Sequence, residues 1–318
     1  MSFSDEVKQE LIHLECEREC CAKAEITAAI LLGGALSFRG LGRYGIALSL
    51  NRVSASRYYY SLLKRFLGIS ADISTSSFSR LGEQTQVKLT LHEEDVPRAM
   101  EALRLYDEGA LFGVANRPAP QIIAKPCCRA AFLKSAFLMT GYVSNPEKEY
   151  ALSMSVLSEE AAQGLIDLIA LEGVKARYSP NRSRYQVYTK SAEGVSVLLT
   201  VMGASAARLK LENVRIVKDI KNGTNRQTNC DNNNIERTIK TAYAQTEDIR
   251  YLAEHLGEKK LPEWAREIMS LRLEHPDSSL SELGELCDPP IGKSGVNNRL
   301  RRLSEMARQL RDSLEFEV

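Results

Sequence analysis

Shifted by 107 residues, the chain lies on itself. CCAKAEITAAILLGGALS (residues 20–37) aligns without a gap on CCRAAFLKSAFLMTGYVS (residues 127–144), with seven identities over eighteen positions. Among them are Cys20 with Cys127, Cys21 with Cys128, and Gly34 with Gly141. A duplicated unit restricts the fold to two similar halves that can pair about a pseudo-twofold axis. Each copy opens with an Ala-rich apolar helix ending at the shared glycine, which fits a helix C-terminus. An extended segment follows (residues 44–51 and 150–157), where ALSLN and ALSMS alternate apolar and small polar side chains. Helices are expected next over 54–67 and 158–172, with Ser158, Glu159 and Glu160 suited to a helix start. Two extended stretches come after each (71–80 with 84–91; 174–179 with 183–190), then a closing helix (94–107; 193–202). The unit reads helix, two strands, helix, two strands, helix. The expectation is an α+β fold with one antiparallel sheet per unit, the two sheets side by side as a saddle. The small residues of the opening helices let their backbones approach closely.

The chain has 318 residues, enough for two or three domains. With 44% hydrophobic and 26% charged residues, it is not a disordered, collagen-like or disulfide-scaffold protein. Its apolar stretches around 26–36 and 194–207 fall short of the ~20 residues a bilayer span needs. MSFSDEVKQELIH lacks an apolar signal core, so a soluble cytoplasmic protein is expected. The net charge of +1 conceals basic clusters. Residues 26–82 carry seven basic side chains against Asp72 alone, 175–226 carry eleven against three acids, and 293–311 carry six against Glu305. Such local excess suits a polyanion, because each neutralised phosphate releases counterions. Arg43, Arg57, Arg182 and Arg184 are candidates for these contacts. Seven cysteines without a secretion signal read as reduced thiols, mostly small core residues. Their adjacent pairs lack the two-residue spacing of zinc knuckles. No metal ion or other cofactor is expected.

Composition shifts near residue 218. KNGTNRQTNCDNNN has no hydrophobic period, so 219–234 is expected to be an irregular linker whose Asn225, Arg226, Asn229 and Cys230 could meet nucleic acid. Residues 1–119 and 120–218 then form the two repeats, and 235–318 a helical domain. Within it, 262–274 and SELGELCD read as helices, interrupted by Asp288, Pro289, Pro290 and Gly292. Ser294 is placed to cap a final helix. Its apolar positions Val296, Leu300, Leu303, Ala307 and Leu310 form one stripe. The other face carries Ser294, Asn297, Asn298, Arg301 and Arg302, beside Lys293, Arg299 and Arg308. Two short helices joined by a tight turn describe a helix-turn-helix over about 279–311. Asn and Arg there can read adenine and guanine edges, while Lys293 and the helix start meet phosphate.

The duplicated helix ending in glycine, followed by this strand order, resembles the LAGLIDADG homing endonucleases. In that family an acidic residue before each glycine holds the Mg²⁺ ions that cut DNA. Here those positions are Gly33 and Thr140, neither of which can supply a carboxylate. The residues MSFSDEVKQEL, CCAKAE, NRQTNCD and LRLEHPDSSLSELGELCDPPIGKSGVNNRLRRLSEMA are more specific: nearly the whole chain resembles the WhiA family of Gram-positive bacterial regulators. The resemblance implies a degenerate LAGLIDADG-like domain fused to a helix-turn-helix. It implies a regulator that binds double-stranded DNA at genes of sporulation, cell division or chromosome segregation, associated with the nucleoid. In some bacteria a small iron–sulfur regulator is an implied partner. A Mg²⁺-dependent endonuclease and an RNA- or protein-binding module remain as alternatives.

Overall fold

The structure is a computed structural model that describes residues 2–38, 43–78, 84–107, 109, 113–256 and 261–315. The chain divides into two compact units, Met1–Lys218 and Asp219–Val318.

The first unit contains both repeats. Helix α1 (Phe3–His13) starts on a capping box in which Ser2 Oγ accepts from the Asp5 amide and the Asp5 carboxylate accepts from the Ser2 amide, both at 3.2 Å. The first repeat then runs α2 (Glu19–Ala28), β1 (Gly34–Phe38), β2 (Tyr44–Leu50), α3 (Val53–Leu62), β3 (Ala71–Phe78), β4 (Gln84–Leu91) and α4 (Val96–Ala102). The second runs α5 (Pro126–Thr140), β5 (Gly141–Val143), β6 (Leu152–Val156), α6 (Glu159–Leu171), β7 (Arg177–Asn181), β8 (Arg184–Thr189) and α7 (Ala192–Met202). Each repeat closes an antiparallel four-stranded sheet, in the orders β1-β2-β4-β3 and β5-β6-β8-β7. The expected α+β architecture is the observed one.

Strand parity decides which side each sheet buries. Ile46, Leu48 and Leu50 of β2 and Val87, Leu89 and Leu91 of β4 are buried. Tyr59, Leu62 and Leu63 of the α3 segment join the same core. In the second repeat Leu152, Met154, Val156 and Val187 pack with Leu165, Leu168 and Ile169 of α6. Helices α2 and α5 pack on each other through Ala24, Ala28, Ala131 and Ala136, all buried, as small residues require for close approach.

The shared glycines stand at the C-terminal ends of the two helical segments as expected, though not in a left-handed conformation. Gly34 has φ −85° and Gly141 φ −82°, both extended. Their need is steric: a Cβ would lie 2.5 Å from the Ile30 carbonyl oxygen and 2.6 Å from that of Phe137. Gly141→Ala is therefore expected to destabilise the first unit by ~1–3 kcal/mol through overpacking. Urea unfolding of the full chain measures it; an unchanged midpoint would show that the strand start can move aside.

A polar network crosses the helix pair. Lys134 of α5 donates to Glu25 Oε1 of α2 at 3.3 Å, to Tyr58 Oη at 2.7 Å and to the Leu14 carbonyl at 3.2 Å. Tyr58 donates to the other Glu25 oxygen. Ser135 Oγ donates to the Glu25 carbonyl at 2.6 Å and meets Tyr59 Oη at 2.8 Å. Glu25 and Lys134 are buried.

Residues 219–234 overturn the linker expectation. They lie inside one 52-residue helix, α8 (Ser205–Leu256). Asn and Thr cost a helix only about 0.7 kcal/mol each at most. Buried anchors near either end, Leu211 and the pair Ile249 and Leu252, supply what the exposed middle lacks. Thr224, Thr238 and Thr241 donate back to the carbonyls four residues earlier, which satisfies their hydroxyls without leaving the helix. Asn225, Arg226, Asn229 and Cys230 are exposed along it.

The second unit continues with α9 (Glu263–Glu274), α10 (Leu280–Glu285) and α11 (Lys293–Glu315). Its core gathers Ile249, Leu252, Ile268, Leu283, Val296, Leu300, Leu303 and Ala307. Among the described residues no helix is long and apolar enough to cross a membrane.

Candidate nucleic-acid interface

Helix α10 is capped by Ser279, whose hydroxyl accepts from the Glu282 amide at 3.3 Å while the Glu282 carboxylate accepts from the Ser279 amide at 2.6 Å. Those hydrogen bonds hold the Glu282 carboxyl below its ordinary pKa. Arg272 is buried behind the entry to α10 and donates to the carbonyls of Pro276 and Ser278, at 3.3 and 2.8 Å. The turn into α11 is tight. The Ile291 amide donates to the Gly284 carbonyl at 2.9 Å, and the Ile291 carbonyl oxygen stands where a Cβ on Gly284 would be.

The apolar stripe of α11 turns inward: Val296, Leu300, Leu303 and Ala307 are buried, and Leu310 packs against the same core. Lys293, Ser294, Asn297, Asn298, Arg301 and Arg302 are exposed. Positions 294, 297, 298 and 301 recur at helical spacing and share one side. Ser294 does not cap the helix, because α11 already includes Lys293; the Gly292 carbonyl accepts from the Val296 amide. Arg299 is turned back onto α9, with Nη1 2.8 Å from Glu267 Oε2. The other Glu267 oxygen accepts from the Asp288 amide at 2.7 Å, so one carboxylate fixes both the turn and the helix. Arg302 covers the Trp264 ring at 4.7 Å, and Arg301 lies 3.5 Å from Glu305 one turn along.

The arginines of the first unit separate into two layers. Strand register places Arg177, Ser179 and Asn181 of β7 beside Tyr188, Gln186 and Arg184 of β8, with Ser153 and Ser155 of β6 and Tyr142 of β5 on the same side. This is the side opposite Val187, Met154 and Val156, hence the open face. In the first sheet the corresponding positions are Ala47 and Ser49, Gln86, Lys88 and Thr90, and Asp72, Ser74 and Ser76. Both open faces therefore carry hydroxyls, amides and scattered cations, with the exposed Asp72 carboxylate among them on the first and Ala47 there buried. Arg184 belongs to this surface and Arg182 to the β7–β8 turn at its end, at φ 56°. Arg43 is exposed immediately before β2. Arg57 is exposed on α3, in the layer that covers the other side of the sheet, so it does not share the open face. Arg177 and Lys88 were missed as candidates; their alternation with Tyr178 and with Val87 and Leu89 was the available signal.

The positions that bind Mg²⁺ in homing endonucleases do not fit that ion here. Mg²⁺ needs hard oxygen ligands, usually carboxylates. Gly33 offers none, and the Thr140 hydroxyl donates to the Ala136 carbonyl at 3.0 Å. A Cβ on Gly33 would stand 2.8 Å from Met139 Cβ, so the opposite helix fills the space an acidic side chain would need. Among the described residues the group able to ligate a metal is instead Cys20, Cys21, Cys127 and Cys128, at the other end of the helix pair.

Comparisons with known proteins cover the whole chain. Residues 19–106 match the model of the WhiA N-terminal LAGLIDADG-like domain, 129–221 the WhiA LAGLIDADG-like domain, and 224–307 the WhiA C-terminal HTH domain. The chain is 38% identical over 313 residues to the probable cell division protein WhiA of Ruminiclostridium cellulolyticum, covering 98% of each. It is 35% identical to that of Bacillus velezensis, again covering 98% of each. Full-length WhiA from Thermotoga maritima has the same fold, with TM-score 0.59 and 22% identity over 97% of this chain and 99% of that one.

Proposed function

The chain belongs to the WhiA family, and on that premise we propose that it is a DNA-binding regulator in cell division that holds duplex DNA without cutting it. The observation that carries this reading is the exposed face of α11, with Ser294, Asn297, Asn298 and Arg301 opposite the buried Val296, Leu300, Leu303 and Ala307. Asn and Arg can pair in bidentate fashion with adenine and guanine in the major groove. Lys293 and the first turn of α11 suit phosphate. The open sheet faces suit sequence-independent contact with the backbone. Gly33 and Thr140, which supply no carboxylate to a metal, support the reading that the chain does not cut. Genes of sporulation, cell division or chromosome segregation as targets, and association with the nucleoid, belong to the same reading. A small iron–sulfur regulator as partner rests on the family resemblance alone.

Arg177→Ala and Arg184→Ala are each expected to weaken every duplex alike and to flatten the log–log salt dependence of binding by about 0.9. Base preference should not change. Arg57→Ala should leave both quantities as they are. Titration of full-length protein with duplexes at several salt concentrations measures this. An undiminished salt slope in both open-face variants would remove the sheets from the DNA-binding surface.

A further inference from the structure

The opening turns of α2 and α5 carry the same dipeptide in the same place. Arg18 and Lys125 precede the two helices, Cys20 and Cys127 occupy the second helical position, and Cys21 and Cys128 the third. Pairing of the helices makes equivalent positions meet. The four Sγ atoms lie within 4.8 Å of one another, and those of Cys127 and Cys128 are 4.0 Å apart. A tetrahedral zinc ion with bonds of about 2.3 Å to sulfur holds its thiolates roughly 3.8 Å apart. The side chains are thus within small rotamer adjustments of a closed site. We propose that Cys20, Cys21, Cys127 and Cys128 bind one zinc ion as a tetrathiolate that bridges the two repeats.

The donor set selects the metal. Four soft sulfurs in a tetrahedron suit zinc, whereas Mg²⁺ and Ca²⁺ require oxygen. An iron–sulfur cluster distributes its four cysteines over several irons, which these closely gathered sulfurs do not match. All four thiols are free, and a bridge within either dipeptide is disfavoured. Adjacent Cα atoms are about 3.8 Å apart, below the roughly 4.4–6.8 Å a disulfide spans. Two helix N-termini converge on the sulfurs, where their positive ends offset negative charge. Binding displaces up to four thiol protons and leaves a complex of net charge −2, which Arg18, Lys125 and the two helix ends offset. Cys20, Cys21 and Cys127 are only half buried, so an ion has a way in. The spacing rule that argued against zinc assumes that both ligands of a pair come from one knuckle. Here duplication supplies the second pair. The ion would close the long loop from Cys21 to Cys127 and tie α2 to α5 at the end away from Gly33 and Thr140.

The test uses the full chain, purified under reducing conditions from cells supplied with zinc. Elemental analysis is expected to find about one zinc per chain. Co(II) substitution should give the intense visible bands of tetrahedral cobalt with thiolate-to-cobalt charge transfer. Cys20→Ser and Cys127→Ser should each reduce zinc by about tenfold or more, while Cys230→Ser, on an exposed turn of α8, retains it. Chelation under reducing conditions should lower the melting temperature by roughly 5–10 °C. Less than about half an ion of zinc per chain, with no cobalt spectrum, would overturn the proposal. So would iron in place of zinc, or undiminished zinc in a folded Cys127→Ser protein. The wild-type metal content and cobalt spectrum decide the matter even if a serine variant does not fold.

Discussion

Lys134→Met is expected to lower the stability of the first unit by roughly 3–5 kcal/mol, more than an ordinary core substitution. The methionine fills much of the lysine's volume, so the loss is electrostatic rather than a cavity. Lys134 is the cation that faces Glu25 at 3.3 Å across the helix pair, and both side chains are buried. Burial pushes the Glu25 carboxyl above its ordinary range, against the pull of Lys134 and Tyr58. Without the ammonium group the largest pull against that rise is gone. A carboxyl whose folded pKa exceeds its unfolded one favours folding fully below the unfolded value, about 4.3, and loses that contribution as pH rises through the folded value. The variant's deficit should therefore grow from acid to neutral pH. Urea unfolding at a series of pH values measures it. Glu25→Leu combined with Lys134→Met should recover part of the loss, because a buried pair replaced by apolar groups leaves no uncompensated charge. A loss below about 1 kcal/mol at neutral pH would mean that water reaches the interface.

The second large effect concerns recognition. Asn298→Ala and Arg301→Ala are each expected to remove ~1–3 kcal/mol of discrimination between the preferred and a mismatched base pair, about 5- to 150-fold. Both side chains are exposed, and the Arg301–Glu305 pair lies at the surface, so folding should be unaffected. Arg301→Ala also removes one cation and should weaken non-specific binding; Asn298→Ala should not. Arg299→Ala should behave differently again. Its partner is Glu267, so its loss would disturb the turn and lower stability before it altered base preference. Competition binding against single-base variants of a selected site separates these outcomes. Identical preference in wild type and both α11 variants would assign base reading to another part of the chain.

Much of this was legible in the residues. The 107-residue self-match placed both repeats, and the alternation in ALSLN and ALSMS located β2 and β6. The spacing of Val296, Leu300, Leu303 and Ala307 marked the buried side of α11 correctly. What was not legible depends on neighbours distant in sequence. Composition alone made 219–234 look irregular, because local propensity does not register buried anchors at Leu211 and Leu252. Charge made Arg299 and Arg57 equal to Arg301 and Arg184. Only the packing of α9 shows that Glu267 occupies Arg299, and only the layer order shows that Arg57 faces away from the open sheet. The gathering of the four paired cysteines was not legible from local spacing either. Each pair was judged by its own spacing, although a pseudo-twofold axis brings equivalent residues together and was already implied by the match of Cys20 with Cys127.

The most direct measurement is selection of bound duplexes from a randomised pool by the full-length protein in Mg²⁺, followed by sequencing of strand ends. Enrichment of a defined motif on uncut strands is expected, with loss of that motif when Asn298 and Arg301 are both changed to alanine. Strands cleaved by the wild-type protein at the selected site, or a pool with no enriched motif, would contradict it.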